Sequence, residues 1–217
     1  YDETTLTLGA IRVNNNTVDV NEYGIYFYSY GIWYIGDEGE TDSVVVTTGS
    51  RTFTGNTINS NDYYGLYLDL EYIGYEMYGT SSVDYGSFTI SGNTISSNSE
   101  SLYVYWYEAG YDLDDDTGAT IGSVTIDNNT LTSVTSDAFY YYMEYCGYYN
   151  MEGNSTTTFG PTSITNNTLT AGGGEGIEFY FYYVAYEMYE NASFTIEPIT
   201  IDNNTISATG GGQGIYI

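Results

Sequence analysis

The sequence predicts an all-β solenoid, in which one chain winds into stacked coils of short parallel strands, and two observations lead to this prediction. First, a segment that opens with Gly or Glu and closes with an Asn-Thr-aliphatic triplet recurs six times, with seven positions from opener to Asn each time. The triplet Asn residues lie 36 to 40 positions apart, so the length variation falls in loops. Second, apolar residues alternate with Thr, Tyr or charged residues, and no long stretch has helical spacing.

Each repeat begins with two short strands, one on either side of the opener. In the last repeat these strands are residues 194–196 and 199–201, which flank the Glu197-Pro198 opener. Their alternation of apolar residues with Thr is typical of strands that bury one face.

The triplet Asn follows the second strand and is expected at a bend. Asn tolerates unusual backbone angles and carries both a donor and an acceptor, so its amide can bond the equivalent Asn one coil above and below. The aliphatic residue two positions later is expected to point inside. The Asn residues of this predicted ladder are Asn16, Asn56, Asn93, Asn129, Asn167 and Asn204.

A third strand follows a loop rich in Ser, Asn and Gly, and it carries most of the Tyr residues. Alternation of period two, as in residues 102–107, assigns Ile, Leu, Val, Phe and Trp to the interior and Tyr, Asp and Glu to the exterior. A weaker fourth segment, such as residues 75–78, follows in most repeats. Stacked coils would line up one vertical file from Tyr26, Tyr67, Tyr103, Tyr140, Tyr180 and Tyr216, and a neighbouring file from Tyr28, Tyr105, Tyr142 and Tyr182.

These Tyr files favour an interaction surface, because so aromatic an exterior is unusual for a solitary soluble protein. Tyr suits interfaces and sugar stacking, since it buries a large area and keeps a hydroxyl for hydrogen bonding. Two alternatives remain open: an ordinary exterior stabilised by cross-strand aromatic pairs, and charge hopping between stacked rings.

The repeats predict a single domain over residues 1–217, with about six coils of 36–40 residues, because each repeat has one apolar face and must stack to bury it. Neither end carries a recognisable capping element. Residue Ile217 could be followed by Tyr1 of another copy, which predicts head-to-tail contacts and a filament. The rival interpretation is that the chain is one segment of a longer solenoid.

The pattern Ile201-Asp202-Asn203-Asn204-Thr205-Ile206, followed by a Gly-rich loop and residues 214–217, resembles right-handed parallel β-helix repeat proteins over essentially the whole chain. The resemblance implies a single-stranded right-handed parallel β-helix. That family spans polysaccharide lyases and hydrolases, adhesins and surface-layer proteins, so it implies a fold more than a function. The sequence Asn-Asn-Thr-Ile is similar to repeats in archaeal surface proteins, including methanogen-type filament or sheath proteins.

The charge balance excludes one class of partner. The chain has 29 acidic residues against Arg12 and Arg51, with no Lys or His, and a net charge of −27. Nucleic-acid binding needs clustered cations, so nucleic acid is excluded as a partner. No apolar run approaches the ~20 residues that span a bilayer. An extracellular, cell-surface location among cations or wall glycans is expected, with plain solubility as the alternative explanation of the charge.

Three smaller sites follow from local patterns. Asp112, Asp114 and Asp116, which alternate before a Gly, could wrap oxygen ligands around calcium, and a solvated acidic loop is the alternative. Asn154 and Asn191 lie in loop Asn-X-Ser/Thr triplets and are candidate glycosylation sites, although such triplets also arise by chance in this composition. No other metal, cofactor or disulfide is expected, because Cys146 stands alone and is expected to be a buried hydrophobe.

The preferred function is an extracellular structural subunit of a head-to-tail filament, fibre or sheath, without enzyme activity. A carbohydrate-binding adhesin is the first alternative, and a β-helix polysaccharide lyase or glycoside hydrolase is the second. The resemblance implies an Arg or Lys base beside acidic calcium ligands in such lyases, and neither Arg lies in an acidic cluster. A glycosidase needs only two carboxylates about 5–9 Å apart, which 29 acids supply by chance.

Overall fold

The computed structural model describes residues 3–35 and 43–217, and it confirms a parallel β-solenoid without helix in that part of the chain. Four six-stranded sheets, here named A to D, run along the solenoid. The chain passes through A, B, C and D in that order and then begins the next coil, so every neighbour in a sheet comes from an adjacent coil. The expected entry at Tyr1 and Asp2 lies outside the described residues.

Sheets A and B flank the opener of each repeat. Sheet A contains β1 (Glu3–Leu8), β5 (Ser43–Thr48), β9 (Ser82–Tyr85), β13 (Gly118–Ile121), β17 (Thr156–Phe159) and β21 (Ser193–Ile196). Sheet B contains β2 (Ile11–Asn14), β6 (Arg51–Thr54), β10 (Phe88–Ser91), β14 (Val124–Asp127), β18 (Thr162–Thr165) and β22 (Ile199–Asp202).

Sheets C and D follow the triplet Asn and complete each coil. Sheet C contains β3 (Thr17–Val20), β7 (Thr57–Ser60), β11 (Thr94–Ser97), β15 (Thr130–Ser133), β19 (Thr168–Ala171) and β23 (Thr205–Ala208). Sheet D contains β4 (Ile25–Ile35), β8 (Leu66–Met77), β12 (Leu102–Tyr107), β16 (Phe139–Glu144), β20 (Ile177–Tyr182) and β24 (Ile215–Tyr216).

Sheet C is an addition to the predicted strands, because the sequence indicated only a bend and a loop after the triplet Asn. The residue before each ladder Asn adopts a positive φ, for example 58° at Asn15, 64° at Gly55 and 56° at Asn128. Gly and Asn accept this left-handed conformation at low cost, and it turns the chain sharply out of sheet B. The Thr and aliphatic residue that follow then pair in register with the coils on either side, as Ile95 does with Leu131.

The core is a column of apolar side chains that alternate along every strand. The inward-pointing aliphatic residues of sheet C are confirmed, since Ile58 and Leu131 are fully buried. Trp106 of sheet D is also fully buried and meets Phe88 and Phe159 edge to face, with ring centroids 5.8 and 5.3 Å apart. Edge-to-face contacts of this kind add stability beyond the area they bury.

The predicted Asn ladder is confirmed, and its hydrogen bonds repeat from coil to coil. The backbone N–H and the side-chain Nδ2 of Asn93 both donate to Oδ1 of Asn129, at 2.9 Å each. Nδ2 of Asn129 donates in turn to Oδ1 of Asn167 at 3.0 Å and back to the carbonyl of Ile90 at 2.9 Å. Because these Asn residues are 1–2% exposed, the ladder supplies the partners that their buried amides require.

The ladder has a direction. At each step the N–H and Nδ2 of one coil donate to Oδ1 of the next coil towards the C-terminus, from Asn16 to Asn56 and onward to Asn204. The other Nδ2 hydrogen donates back to the preceding coil, to a carbonyl of the sheet B strand in that coil. Asn204, for example, donates to the carbonyl of Ile164. Each coil therefore presents the N–H and an Nδ2 hydrogen of its ladder Asn towards the C-terminal end of the solenoid, and the Oδ1 acceptor towards the N-terminal end.

Arg51 is buried inside the solenoid, which the sequence did not indicate. Its guanidinium carbon lies 3.7 Å from the ring centroid of Tyr85, and its Nη1 donates to Oγ1 of Thr48 at 2.6 Å and to the carbonyl of Gly49 at 2.8 Å. Burial lowers the pKa of Arg51 from its usual value. The cation is held by an aromatic face and neutral oxygens, so Arg51 serves packing between sheets A and B.

We expect Asn129→Ala to destabilise the protein strongly, because the N–H and one Nδ2 hydrogen of Asn93 lose their acceptor and the carbonyl of Ile90 loses a side-chain donor. The bond from Asn93 Nδ2 to the carbonyl of Phe53 remains. Each buried group left unsatisfied costs about 1–3 kcal/mol, so the loss in the free energy of unfolding should be about 3–5 kcal/mol. Urea unfolding followed by circular dichroism measures it. Asn59→Ala, which truncates an exposed Asn of sheet C, is the control and should change stability by less than about 0.5 kcal/mol. Equal losses in the two variants would contradict the ladder's role.

Candidate functional site

The outer surface of sheet D is the most distinctive surface of the molecule, and the strand register defines its files. Three vertical files run up the sheet. The first contains Tyr26, Tyr67, Tyr103, Tyr140, Glu178 and Tyr216; the second contains Tyr28, Asp69, Tyr105, Tyr142 and Tyr180; the third contains Tyr30, Glu71, Tyr107, Glu144 and Tyr182.

The predicted files were wrong in two places. Tyr180 pairs with Tyr142 and not with the file of Tyr140, and Tyr182 pairs with Glu144 and not with Tyr142. The register is fixed by the inward residue Ile177, which lies beside Phe139, so Glu178 takes the place where the earlier coils carry Tyr.

Stacked phenol rings cover this sheet from coil to coil. Tyr67 and Tyr103 have ring centroids 4.8 Å apart and planes inclined by 6°, and Tyr103 and Tyr140 follow at 5.0 Å and 20°. The separation equals the spacing of neighbouring strands, so parallel pairing itself brings like rings into contact. We name this surface, with the turn tyrosines described next, the tyrosine face.

The turn after sheet D extends the tyrosine face around the corner of the solenoid. The predicted fourth segment contributes these rings: Tyr75 stacks on Tyr111 at 4.9 Å and 13°, and Tyr148 stacks on Tyr186 at 5.5 Å and 12°. In the second coil this segment belongs to β8, whereas in later coils it forms a short bridge such as that between Met151 and Met188.

Three carboxylates accept hydrogen bonds from the phenols. Tyr26 Oη donates to Asp69 Oδ2 at 2.6 Å, Tyr28 Oη to Glu71 Oε2 at 3.1 Å, and Tyr105 Oη to Glu144 Oε2 at 2.7 Å. In each pair the acceptor lies one coil on and two register positions further along the strand. The sequence placed Asp and Glu outside on this strand, but the phenol–carboxylate pairs depend on the register and were not predicted.

The environment keeps these phenols in the neutral form. Loss of solvation, the hydrogen bond to Glu71 and the charges nearby raise the pKa of Tyr28 to about 12. Loss of solvation, with Glu108 and Asp112 close by, likewise raises the pKa of Tyr111 to about 12. Burial also raises the pKa of the Asp69 carboxyl above its usual value, so this carboxylate holds a proton more readily than a solvated one.

A depression of about 320 Å³ opens at the corner of the tyrosine face. Its walls are Tyr107, Tyr111, Tyr145 and Tyr148, and Glu108 is the carboxylate among them. Tyr145 stands edge to face against Tyr107, with ring centroids 6.0 Å apart, and against Tyr148, with centroids 5.0 Å apart. Aromatic walls at steep angles beside one carboxylate can stack on a sugar ring and accept bonds from its hydroxyls. We name it the tyrosine pocket.

The backbone at this corner is held in an unusual conformation. Tyr72, Glu108, Tyr145 and Tyr183 occupy one column and have φ between 49° and 58°, in the left-handed region that favours Gly. Two positions further along, Gly74, Gly110 and Gly147 also have positive φ. A Cβ at Gly110 would lie 2.1 Å from Thr157 Oγ1, so that position has no room for a side chain.

The predicted calcium ligands do not converge. Asp112 Oδ1 accepts from Asn150 Nδ2 at 3.3 Å and Asp116 Oδ1 accepts from Asn154 Nδ2 at 2.8 Å, so two of the three carboxylates bond amides of the next coil. In the part of the chain that the structure describes, the acids that do converge are Asp137, Glu175 and Glu178, whose oxygens lie within 4.8 Å of one another. Glu175 and Glu178 lie close together in one coil, but Asp137 comes from the coil before, so no local pattern in the sequence indicates the trio.

Asp137 is the buried member of this trio and is 7% exposed. Its Oδ1 accepts the backbone N–H of Glu175 at 2.6 Å. Burial, with the charges of Glu178 and Glu175 adding to it, raises the pKa of Asp137 to about 7. A protonated Asp137 relieves the repulsion among the three acids.

The remaining predicted residues are two candidate glycosylation sites and the single Cys. Asn154 and Asn191 are both exposed in the turns after sheet D, and glycosylation of either stays a prediction. Cys146 is fully buried, as expected, and burial raises the pKa of its thiol to about 12. No helix in the described part of the chain is long and apolar enough to cross a membrane.

Comparison with models of known protein families, with curated proteins and with solved structures found no match to this chain. The ladder, the tyrosine face and the tyrosine pocket are the features of the molecule that bear on its function.

We expect Asp137 to make stability fall as the pH rises. Its folded-state pKa lies above the ordinary value of 3.8, so its stabilising proton is fully present below the unfolded pKa and is lost as the pH rises through about 7. Thermal unfolding from about pH 4 to about pH 8 should show a steeper decline for the wild type than for Asp137→Asn, which keeps the acceptor for Glu175. Parallel pH profiles of the two proteins would contradict the assignment.

Proposed function

We propose that the chain is an extracellular structural protein of the cell surface, whose solenoid stacks end to end into a filament, fibre or sheath of the type found in archaea, including methanogens. The observation that carries this proposal is the directional ladder, whose two ends are complementary.

The ladder could continue from one copy into the next. Within each coil pair, a ladder Asn donates its N–H and Nδ2 to the Oδ1 of the following coil. At the outer side of the last described coil the corresponding donors belong to Asn204, and at the outer side of the first coil the corresponding acceptor is Oδ1 of Asn16. A second copy stacked head to tail brings these groups together and repeats the bonds of the interior.

Apolar side chains at both ends support the same contact. Leu6 is 49% exposed, whereas Val46, its register partner one coil on, is 4% exposed. At the other end Ile215 is 43% exposed, whereas its register partner Ile177 is fully buried. Further repeats of the same chain would cover these residues equally well, so the test uses the 217-residue chain alone. Lateral contacts between filaments would use exposed rings of the tyrosine face such as Tyr149 and Tyr183.

We expect the purified chain to form filaments and Ile201→Lys to abolish them. Ile201 points inward on β22, and its register partner Ile164 is fully buried under the next coil. An inward-pointing charge at a sheet edge blocks the addition of another strand. Thr200→Lys is the matched control, because it adds the same charge on the same strand but faces outward. Negative-stain microscopy and light scattering at neutral pH measure assembly.

The filament proposal fails if the wild type stays monomeric at high concentration, or if both Lys variants assemble equally. Far-ultraviolet circular dichroism should show that Ile201→Lys keeps its β-structure, so that a loss of assembly is separated from unfolding.

The tyrosine pocket favours a second candidate function, the binding of cell-wall glycans by a surface module. Its aromatic walls offer stacking faces, and Glu108 offers an acceptor for sugar hydroxyls. The depression has the size of a small-ligand site, since such pockets hold about 300–1,000 Å³. The two proposals are compatible, because the pocket lies on the side of the rod and the ladder complementarity lies at its ends.

We expect Tyr148→Ala to weaken glycan binding about tenfold, which corresponds to ~1.4 kcal/mol, because it removes one wall of the tyrosine pocket. Glu108→Gln, which keeps the shape of the side chain, should weaken binding less. Tyr63→Ala removes an exposed ring on another coil and should leave affinity unchanged. A glycan array followed by calorimetry with the best oligosaccharide measures the effect, and equal losses in Tyr148→Ala and Tyr63→Ala would refute a defined pocket.

A further inference from the structure

We propose that the tyrosine face relays oxidising equivalents along the solenoid. In this activity a one-electron oxidant at the surface removes an electron from one phenol, the hydrogen-bonded carboxylate takes the phenol's proton, and the resulting radical passes from ring to ring across the coils. The inference stands on the geometry of sheet D and does not depend on filament assembly or on glycan binding.

The rings form a continuous path. One route runs from Tyr26 to Tyr67, Tyr103, Tyr140, Tyr142 and Tyr180, with ring centroids separated by 5.2, 4.8, 5.0, 5.9 and 5.3 Å in turn. Electron transfer between aromatic rings weakens exponentially with distance, so rings near van der Waals contact exchange electrons much faster than isolated ones. Parallel stacking at the strand spacing supplies this separation at every coil.

The carboxylates make the oxidation feasible. A phenol that loses an electron becomes strongly acidic, and an acceptor already in place lets its proton leave together with the electron. Tyr26 Oη–H points at Asp69 Oδ2 at 2.6 Å, and Tyr105 Oη–H points at Glu144 Oε2 at 2.7 Å. Both bonds are in place before oxidation, so the proton moves along an existing hydrogen bond.

The step balances. Oxidation of Tyr105 gives one electron to the oxidant, which is reduced by one unit, and the O–H bond breaks as a new O–H bond forms on Glu144. The products are a neutral phenoxyl radical and a neutral carboxylic acid. When Tyr142 supplies an electron to this radical, the proton returns from Glu144 to the Tyr105 oxygen. The Tyr142 phenol then gives its own proton to the regenerated Glu144 carboxylate, which is also its hydrogen-bond partner, so the hole has moved by one ring and every proton is accounted for.

The raised phenol pKa values fit this coupling. The pKa of Tyr28 is raised to about 12, so at neutral pH the phenol carries its proton and cannot be oxidised as a preformed phenolate. The carboxylate partner of Tyr28, Glu71, is then required as the proton acceptor, and burial raises the pKa of Glu71, so it accepts a proton more readily than a solvated carboxylate.

The third coil is a bottleneck that makes the relay testable. Among the tyrosine–tyrosine ring pairs of the described residues, each contact from the second coil to the fourth passes through a tyrosine of the third coil. The core rings Phe88 and Trp106 also lead to Phe159, but no ring pair of the described residues joins them to the tyrosines of the second coil. The contacts between the second and third coils join Tyr64 and Tyr67 to Tyr103, Tyr72 to Tyr107, and Tyr75 to Tyr111. The contacts between the third and fourth coils join Tyr103 to Tyr140, Tyr105 to Tyr142, Tyr107 to Tyr145, and Tyr111 to Tyr148 and Tyr149.

The experiment places an oxidant on one side of the third coil and a trap on the other. A ruthenium polypyridyl photosensitiser is attached through Asp62→Cys, an exposed position beside Tyr63, while the buried Cys146 stays unlabelled. 3-Aminotyrosine, which is easier to oxidise than Tyr, replaces Tyr180 as the trap. After a laser flash with a sacrificial electron acceptor, transient absorption should show the aminotyrosyl radical forming within the lifetime of the oxidised sensitiser.

Replacing all four bottleneck tyrosines (Tyr103, Tyr105, Tyr107 and Tyr111) with Phe should reduce the trap signal to the level seen without 3-aminotyrosine, since Phe keeps the ring but is far harder to oxidise. Tyr141→Phe is the matched control, because Tyr141 lies between Tyr140 and Tyr142 on β16 but faces the core and is 3% exposed. It should leave the yield unchanged.

Glu144→Gln supplies a second measurement that a purely structural role would not affect. It keeps the shape of the side chain but removes the proton acceptor of Tyr105, so radical transfer should slow and its solvent deuterium isotope effect should change. Circular dichroism verifies that every variant is folded. An undiminished trap signal in the four-Phe protein, or no trap signal in the parent, would overturn the relay.

Discussion

In-register stacking of parallel coils is the constraint on which every other feature depends. A ladder Asn is satisfied only when the same residue lies directly above and below it, because its Nδ2 donates to both neighbouring coils. A shift of one position would leave buried amides without partners and would turn every inward side chain outward. The ladder therefore fixes the register at one corner, and the strands between corners inherit it.

Stacking equivalent residues over one another brings both aromatic rings and carboxylates together. With a net charge of −27, the chain must limit the repulsion between those carboxylates. On sheet D Asp69, Glu71 and Glu144 each lie between two tyrosines of their file. Each of these three acids gains a phenol hydrogen-bond donor from the coil before it. Acids also approach one another: burial and the charge of Asp69 raise the pKa of Glu71, and burial with the charges of Glu178 and Glu175 raises the pKa of Asp137. The phenols that define the surface thus also make its charge tolerable.

The sequence predicted the ladder well because a single residue type recurs at a fixed distance from a recognisable opener. It predicted the tyrosine files less well, since a file is set by the inward residue that begins the strand, and Ile177 is followed by Glu where earlier coils have Tyr. Sheet C was missed because its four-residue strands begin at a bend whose left-handed residue gives no periodic signal. The acid trio was beyond prediction, because Asp137 and Glu175 are 38 positions apart and meet only through coil stacking.

The backbone at the corner after sheet D repeats an unusual conformation from coil to coil. Gly110 has a positive φ, and a Cβ at this position would also clash with Thr157. Tyr145 and Tyr183 adopt the same left-handed conformation two positions after the end of the inward alternation, where Gly would be less strained. A residue other than Gly in this region costs of order 1–3 kcal/mol. Glu108 adopts the same conformation in the same column, so the turn itself requires it in successive coils whatever the side chain. Where that residue is a tyrosine, the turn carries a ring: Tyr145 forms a wall of the tyrosine pocket and stacks on Tyr183 with planes inclined by 5°. A backbone conformation that repeats with the coils therefore aligns the rings at this corner, as the strand register aligns those of sheet D.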